Sequence, residues 1–450
     1  MTQADEGHSL ARALLARAMA HENAQRFSDA ERDYLGVAAF GYRRLDVLRL
    51  AAGVATADGR LGDALTHWQD VLRTAPDDVP ALRARGAALQ RLGRWDDAVA
   101  DFVKATALAP DDPSLATSLG VALQDAGRYD ESLTVLRQAV ARWPGEPLLR
   151  HKLRQAVSAV VPAWHVPMMN DAPRNAAFDR AIRRAVASRG PAARVLDIGT
   201  GSGILSMMAV RAGAASVVSC EAVPAIAEVA RQILERNGYA DRVRAVAKRS
   251  TELAVGHDLD EPADVLVSEI LSSSVLSEYV LTTFEDAVSR LVKPSAAIIP
   301  RAVTAVGCLA GGPAIERIAF VDRVDGFDLS PFTALAAPRL PVNGFSPPWT
   351  RLSPDCDLLH FDLTEAWHAP ALETLALPVA ADGVAVGVIQ WMRVELDEET
   401  VFVNPPEAYD GGGWQQVLHT FPKPMPVSAG QTFPLIAGHD RSSLIFAPAP

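Results

Sequence analysis

The chain has 450 residues, with 54 acidic against 43 basic side chains, a net charge of −11, and 49% hydrophobic and 22% charged residues. That balance is ordinary for globular protein and excludes a largely disordered chain. The acidic surplus argues against a general nucleic-acid binder, which needs Lys and Arg to neutralise phosphates. No run reaches the ~18 uncharged apolar residues of a membrane span, and the first ten residues lack a basic-then-apolar leader pattern. Cys220, Cys308 and Cys356 stand far apart, which suits neither a disulfide framework nor a zinc site. The expectation is a reducing cytoplasm, with no metal, no membrane and no nucleic acid as partner.

The first 160 residues read as helix, and they repeat. Pro76, Pro110 and Pro144 recur every 34 residues, the period of a tetratricopeptide repeat. Four columns keep the same step: Gly59, Gly93 and Gly127; Ala64, Ala98 and Ser132; Trp68, Phe102 and Leu136; Val71, Ala105 and Ala139. A fifth holds Leu61, Trp95 and Tyr129. Small residues let paired helices approach, large ones are expected to fill the groove to the next pair, glycine makes the turn and proline ends the second helix. Phe27, Ala30, Tyr34 and Val37 form a weaker earlier copy. The reading is four helix pairs over Leu10–Pro144 and a closing helix near Glu146–Val160. Such an array offers a concave surface for protein partners or substrates.

Past this repeat domain, assigned to residues 1–160, the pattern becomes strand-turn-helix. Strands are expected at Arg194–Ile198, Ala215–Cys220, Val243–Ala247 and Asp264–Ser268, with helices at Ile204–Ala212 and Val223–Asn237. This alternation implies a parallel, Rossmann-like α/β domain over 161–300. Residues 301–450 read as a β-rich, barrel-like domain with few convincing helices.

The first strand runs into Asp197-Ile198-Gly199-Thr200-Gly201-Ser202-Gly203. Glycines let the backbone turn tightly and approach a ligand. Glu221, at the end of the second strand, stands where an acidic side chain accepts from ribose hydroxyls. A dinucleotide site prefers the spacing G-x-G-x-x-G with a pyrophosphate on the helix dipole. Here the spacing is G-x-G-x-G and Asp197 would repel phosphate, whereas it can accept from an ammonium. S-adenosylmethionine carries an ammonium and a sulfonium and no phosphate, so it is the expected cofactor.

Glu269 closes the fourth strand, where open α/β sheets bind substrate. Glu278 follows nine residues later, across Ser272-Ser273-Ser274. Two carboxylates facing each other raise one another's pKa. A guanidinium between them relieves the repulsion, its planar fork matching carboxylates.

These features together resemble the protein arginine methyltransferase family. The Val-Ser-Glu strand end and its two-glutamate loop are similar to that family's, as is the segment Trp164-His165-Val166-Pro167-Met168-Met169-Asn170-Asp171-Ala172-Pro173-Arg174-Asn175. The resemblance runs from His165 to the C-terminus. It implies that Arg174 pairs with the carboxylate of S-adenosylmethionine with His165 nearby. Asp197 and Gly199, within the loop that includes Gly201 and Gly203, would hold the methionine end and Glu221 the ribose. Arg249 and Ser250 would border the adenine, Met168 would pack near the methyl group, and Glu269 and Glu278 would clamp an arginine-containing protein or peptide. It also implies a possible homodimer through an arm at Asp325–Trp349. One departure is visible: the family's Thr-His-Trp loop is matched by Gly411-Gly412-Gly413-Trp414. Gly413 stands at the His position, which would leave Asp171 without its usual partner, and the run of glycines suggests a flexible loop. Methylation of another nucleophile, such as lysine, and an inactive interaction scaffold are the alternatives.

Overall fold

A computed structural model describes residues 3–342, 348–408 and 412–450. The chain forms two compact units, Met1–Pro162 and Ala163–Pro450. Among the described residues no helix is long and apolar enough to cross a membrane, and no group of side chains is arranged to hold a metal ion.

The first unit is helical throughout: α1 (Gln3–Asn23), α2 (Phe27–Ala39), α3 (Arg44–Ala57), α4 (Leu61–Thr74), α5 (Val79–Arg91), α6 (Trp95–Leu108), α7 (Pro113–Asp125), α8 (Tyr129–Arg142) and α9 (Pro147–Val160). That is four helix pairs and a closing helix, as the period predicts. Ala64, Ala98 and Ser132 are fully buried, as are Phe102 and Leu136 beneath them in the next column. Glycine on the first helix of a pair makes room for the large residue on the second. A Cβ on Gly86 would lie 3.0 Å from the Phe102 ring, and one on Gly120 would lie 2.5 Å from Leu136.

One expectation for this unit fails. Trp95 and Tyr129 do not fill the groove between pairs; they are 47% and 41% exposed. Each opens the second helix of its pair straight after a left-handed glycine turn. Side chains tilt toward a helix's N-terminus, so these two lie over the turn. The residue ahead of each, like Arg60 ahead of Leu61, is an arginine that ion-pairs three positions on: Arg60 with Asp63, Arg94 with Asp97 and Arg128 with Glu131.

The second unit starts with α10 (His165–Asn170) and α11 (Ala172–Arg189). A doubly wound segment follows: β1 (Arg194–Ile198), α12 (Ile204–Arg211), β2 (Ser216–Cys220), α13 (Pro224–Arg236), β3 (Val243–Val246), β4 (Ala263–Ser268), α14 (Val280–Arg290) and β5 (Val292–Ile299). Its strands make one parallel sheet in the order β3-β2-β1-β4-β5. β1 and β4 are nearly continuous apolar runs because both faces are covered by helices. The order reverses between β1 and β4, which opens a crevice at their C-terminal ends.

The remaining strands are β6 (Ala302–Gly311), then, after the short helix α15 (Pro313–Ala319), β7 (Arg323–Val324), β8 (Phe327–Asp328), β9 (Arg339–Val342), β10 (Thr350–Arg351), β11 (Cys356–Asp362), β12 (Ala371–Pro378), β13 (Gly383–Glu395), β14 (Val401–Val403), β15 (Gln416–Val427), β16 (Thr432–His439) and β17 (Leu444–Pro448). The main antiparallel sheet runs β10-β6-β13-β15-β9, with β11 on β6 and β14 on β13, and β12-β16-β17 form a second sheet. The expected arm at Asp325–Trp349 is only partly a projection. Its described part contains the β7–β8 ribbon with exposed Phe327, but β9 belongs to the main sheet through β15; residues 343–347 lie outside the described residues.

The parallel and antiparallel parts share one core, running from Phe178 and Leu266 to Met392 and Phe433. A buried polar junction joins them as well. Glu285 of α14 accepts from the His368 backbone N–H at 2.8 Å and from Arg441 Nη2 at 2.7 Å. The helix that follows Glu278 is thereby fixed to the strands behind it.

Candidate functional site

The glycine loop leaves β1 under tight constraint. Gly199 has φ +84°, and a Cβ there would lie 2.7 Å from Ile270 Cγ2. The loop after β1 and the residue after Glu269 are thus in direct approach, which only glycine permits. Gly203, at φ +78°, caps α12. The backbone N–H groups of Gly199 and Thr200 both donate to Cys220 O, anchoring the loop to the end of β2.

Asp197 is buried beneath this loop. The hydroxyls of Ser206 and Ser219 donate to its Oδ2, while Oδ1 has no partner. Burial pushes its carboxyl up to about 6, against those hydroxyls and with help from the charge on Glu221. Glu221 is itself buried; it accepts from the backbone N–H of Gly201 at 3.1 Å and of Val223 at 2.9 Å. Its own N–H donates to Val246 O, so Arg249 and Ser250 follow close beyond. Ser250 is buried at the start of a short 3₁₀ turn, and Arg249 is exposed.

Arg174 ion-pairs with Glu269 at 3.0 Å, both side chains being almost fully buried. Its guanidinium lies 5.7 Å from the Trp414 ring and 6.0 Å from Phe178. Arg174 Nε and Glu269 Oε1 have no hydrogen-bond partner. Burial pushes Glu269 up to about 8; Arg174 opposes the rise, and Glu278 and Asp171 add to it. Glu278 is also raised, by partial enclosure and then by Glu221. Asp171, Asp197, Glu221, Glu269 and Glu278 therefore form one electrostatically coupled cluster, with Arg174 as the cation paired into it.

The loop between the two glutamates is a fixed hairpin. Val275 holds φ +64° while fully buried, a conformation a β-branched residue adopts only under constraint. Ser272 and Ser277 are joined through their hydroxyls. Trp414 Nε1 donates to Leu271 O at 2.7 Å, and the Gln415 N–H donates to Ser273 Oγ at 2.9 Å. These two tethers were not visible in the sequence.

Over the hairpin lies a cavity of about 600 Å³, reached by Trp164, Met168, Glu278, Gly413 and Trp414. Gly413 is a site of close approach rather than a loose turn: a Cβ there would lie 2.6 Å from Met168 Cβ. Gly411 lies outside the described residues. Asp171 is not left without a partner, since it caps α11 by accepting from the Arg174 N–H at 3.0 Å. His165 stands at the start of α10, its ring stacked on that of Trp164.

The geometry agrees with what known proteins share with this chain. A tetratricopeptide-repeat family model matches residues 50–113 and 83–147. A family model described as ribosomal protein L11 methyltransferase matches residues 181–302, the parallel-sheet segment. An arginine N(omega)-methyltransferase of Streptomyces achromogenes subsp. streptozoticus is 36% identical over 279 residues, covering 62% of this chain and 76% of that protein. The chain belongs to the arginine N-methyltransferase family. Protein arginine N-methyltransferase 7 of Danio rerio is 31% identical over 313 residues, 63% of this chain, which spans only 45% of that longer relative. Among solved structures, a Trypanosoma brucei PRMT1 enzyme-prozyme complex with AdoHcy aligns with a TM-score of 0.54 at 24% identity, over 62% of this chain and 88% of that one. Arabidopsis thaliana protein arginine methyltransferase 10 aligns at 0.50 and 18% identity, over 60% and 86%. At those identities the two structures speak for the fold alone. As a member of this family the protein is an S-adenosylmethionine-dependent methyltransferase of arginine.

Proposed function

We propose that the protein transfers a methyl group to a terminal guanidino nitrogen of arginine within proteins. The observation that carries this reading is the carboxylate cluster, buried except at Glu278, whose negative charge exceeds what Arg174 neutralises. A cluster of that kind favours cationic ligands.

The crevice fits the donor. Asp197 Oδ1 and Arg174 Nε are buried polar atoms without partners, suited to the ammonium and carboxylate of an amino-acid end. Glu221 borders the same loop and would take the ribose, while Ser250 and Arg249 would border the adenine. S-adenosylmethionine, when bound there, supplies a methyl group activated by its sulfonium. Met168 and His165, on α10, would cover that end of the crevice.

The chemistry left to the protein is charge placement. A guanidinium is a poor nucleophile because its lone pairs are delocalised. Glu269 and Glu278 would draw its positive charge toward themselves and leave one terminal nitrogen freer to attack. A pair at ~4 Å in an effective dielectric of ~20 is worth ~4 kcal/mol before desolvation. Arg174 favours the ionised form of Glu269 against the effect of burial and fixes its position. Glu278, open to the cavity, would accept the proton that the methylated nitrogen releases. Positioning alone can supply ~7–11 kcal/mol of such a barrier.

The repeat unit would recruit protein substrates through its concave face. Two copies would associate through the β7–β8 ribbon and the 3₁₀ turn Ser330–Leu335 after it, where Phe327, Phe332 and Leu335 are exposed. The test is transfer of radiolabelled methyl from S-adenosylmethionine into lysate proteins, followed by hydrolysis and amino-acid analysis. Label in methylarginine is expected; label in methyllysine would overturn the reading.

A further inference from the structure

Three hydroxyls are buried together around Asp197, beneath the glycine loop. Each comes from a different element: Thr200 from the loop, Ser206 from α12 and Ser219 from β2. Ser219 is the residue across from Asp197 in the parallel pairing of β1 with β2. Ser206 and Ser219 are fully buried, and Thr200 and Asp197 almost so. In such surroundings bulk water does not readily replace a hydroxyl that is removed. The loop's own backbone is engaged elsewhere: the N–H groups of Gly199 and Thr200 donate to Cys220 O, that of Gly201 to Glu221 and that of Gly203 to Thr200 O.

The hydroxyl protons can be placed. Ser219 Oγ lies 3.3 Å from Asp197 Oδ2 and is also joined to Thr200 Oγ1. An ionised carboxylate only accepts, and a hydroxyl has a single proton to give. Ser219 therefore donates to Asp197, and Thr200 donates to Ser219. Ser206 Oγ donates to the same Oδ2. The three hydroxyls thus converge on one carboxylate oxygen and fix the side chain from that side. Among the described residues Oδ1 has no partner, and a buried acceptor of that kind is costly unless something satisfies it.

We propose that Thr200, Ser206 and Ser219 are positioning residues for the methyl donor: by holding Oδ2 they present Oδ1 of Asp197 to the α-ammonium of S-adenosylmethionine, and so set how strongly the site prefers a ligand that carries that group. This rests on the placement of the ammonium at Asp197 given above. An ammonium donates to Oδ1 and meets its charge, whereas a ligand with only hydrogen at that carbon leaves Oδ1 unpaired.

The experiment measures calorimetric binding to the full-length protein of S-adenosylhomocysteine, which keeps the ammonium, and of its analogue without the α-amino group. The ratio of the two dissociation constants reads the contact of the ammonium alone. The wild type should favour the amino ligand by ~10- to 100-fold, the scale of a hydrogen bond to a charged group. Ser206→Ala and Ser219→Ala should each shrink that preference several-fold, weakening the amino ligand and sparing the analogue. Thr200→Val, close in shape but without the donor, should shrink it as well, and Thr200→Ser should restore it. A merely structural role would weaken both ligands alike and leave the ratio where it was. An unmoved ratio in Ser206→Ala and Ser219→Ala, with the preference lost in Asp197→Asn, would overturn the proposal and leave the ammonium on Asp197. An unmoved ratio in Asp197→Asn would overturn that placement itself, and the proposal with it.

Discussion

Arg174 Nη1 lies 3.0 Å from Glu269 Oε2, in surroundings that exclude water from both side chains. The pair joins the segment ahead of the sheet to the end of β4, and the cation opposes the push of burial toward the protonated form of Glu269. Removing the cation alone leaves a buried acid without its partner, at ~3–5 kcal/mol. Arg174→Met should therefore lower the urea midpoint markedly, and Arg174→Met with Glu269→Gln should recover much of that loss. Additive losses in the double variant would show that the two groups do not act as a pair.

The raised carboxyl of Glu269 gives a pH signature. Its value rises from 4.5 to about 8 on folding, so between those limits the folded protein binds more protons than the unfolded chain. Stability from this group is then greatest below about 4.5 and declines as pH rises toward about 8. Turnover runs the other way, because a guanidinium needs the ionised form. The kcat/KM profile should climb through the neutral range toward about 8, and Glu269→Gln should lose that limb along with most activity. A flat profile in the wild type would contradict the assignment.

In the repeat unit, one substitution should have opposite signs at two places. A Cβ at Gly120 would strike Leu136, whereas one at Gly53 of α3 meets nothing within 4 Å. Gly53→Ala should stabilise by ~0.5–1 kcal/mol through the unfolded chain's lost freedom. Gly120→Ala should destabilise by ~1–3 kcal/mol through overpacking. Thermal melts of the two variants settle the matter, and equal shifts would show that the Gly120 site is loose.

Much of this was legible in the sequence, for a physical reason. Each repeat meets the same neighbours, so Ala98 or Phe102 must recur every 34 residues. The glycine loop and the spacing of Glu269 and Glu278 are likewise local. Contacts between distant segments left no such trace. Nothing in the sequence ties Trp414 to Leu271, 143 residues away, or says that Arg174 is held by Glu269. Nor does periodicity tell a buried column from one lying over a turn, which is why Trp95 and Tyr129 read as groove-fillers.

If the repeats supply substrate affinity, removing residues 1–162 should raise KM for a full-length protein substrate and spare a short arginine peptide. Only remote binding energy is lost in that case. A like fall in kcat for both substrates would instead mean that the repeats brace the catalytic unit.

The central claim is that two carboxylates at the end of β4 and across its hairpin activate a guanidinium. Glu278→Gln tests it most directly, because it keeps the size of the side chain and one acceptor oxygen, and removes the charge. Single-turnover methyl transfer to an arginine peptide, measured beside calorimetric binding of S-adenosylmethionine, separates chemistry from cofactor affinity. The account predicts a fall of ~10²-fold or more in the methyl-transfer rate with cofactor affinity within a few-fold of wild type. Near-normal transfer by Glu278→Gln would contradict it.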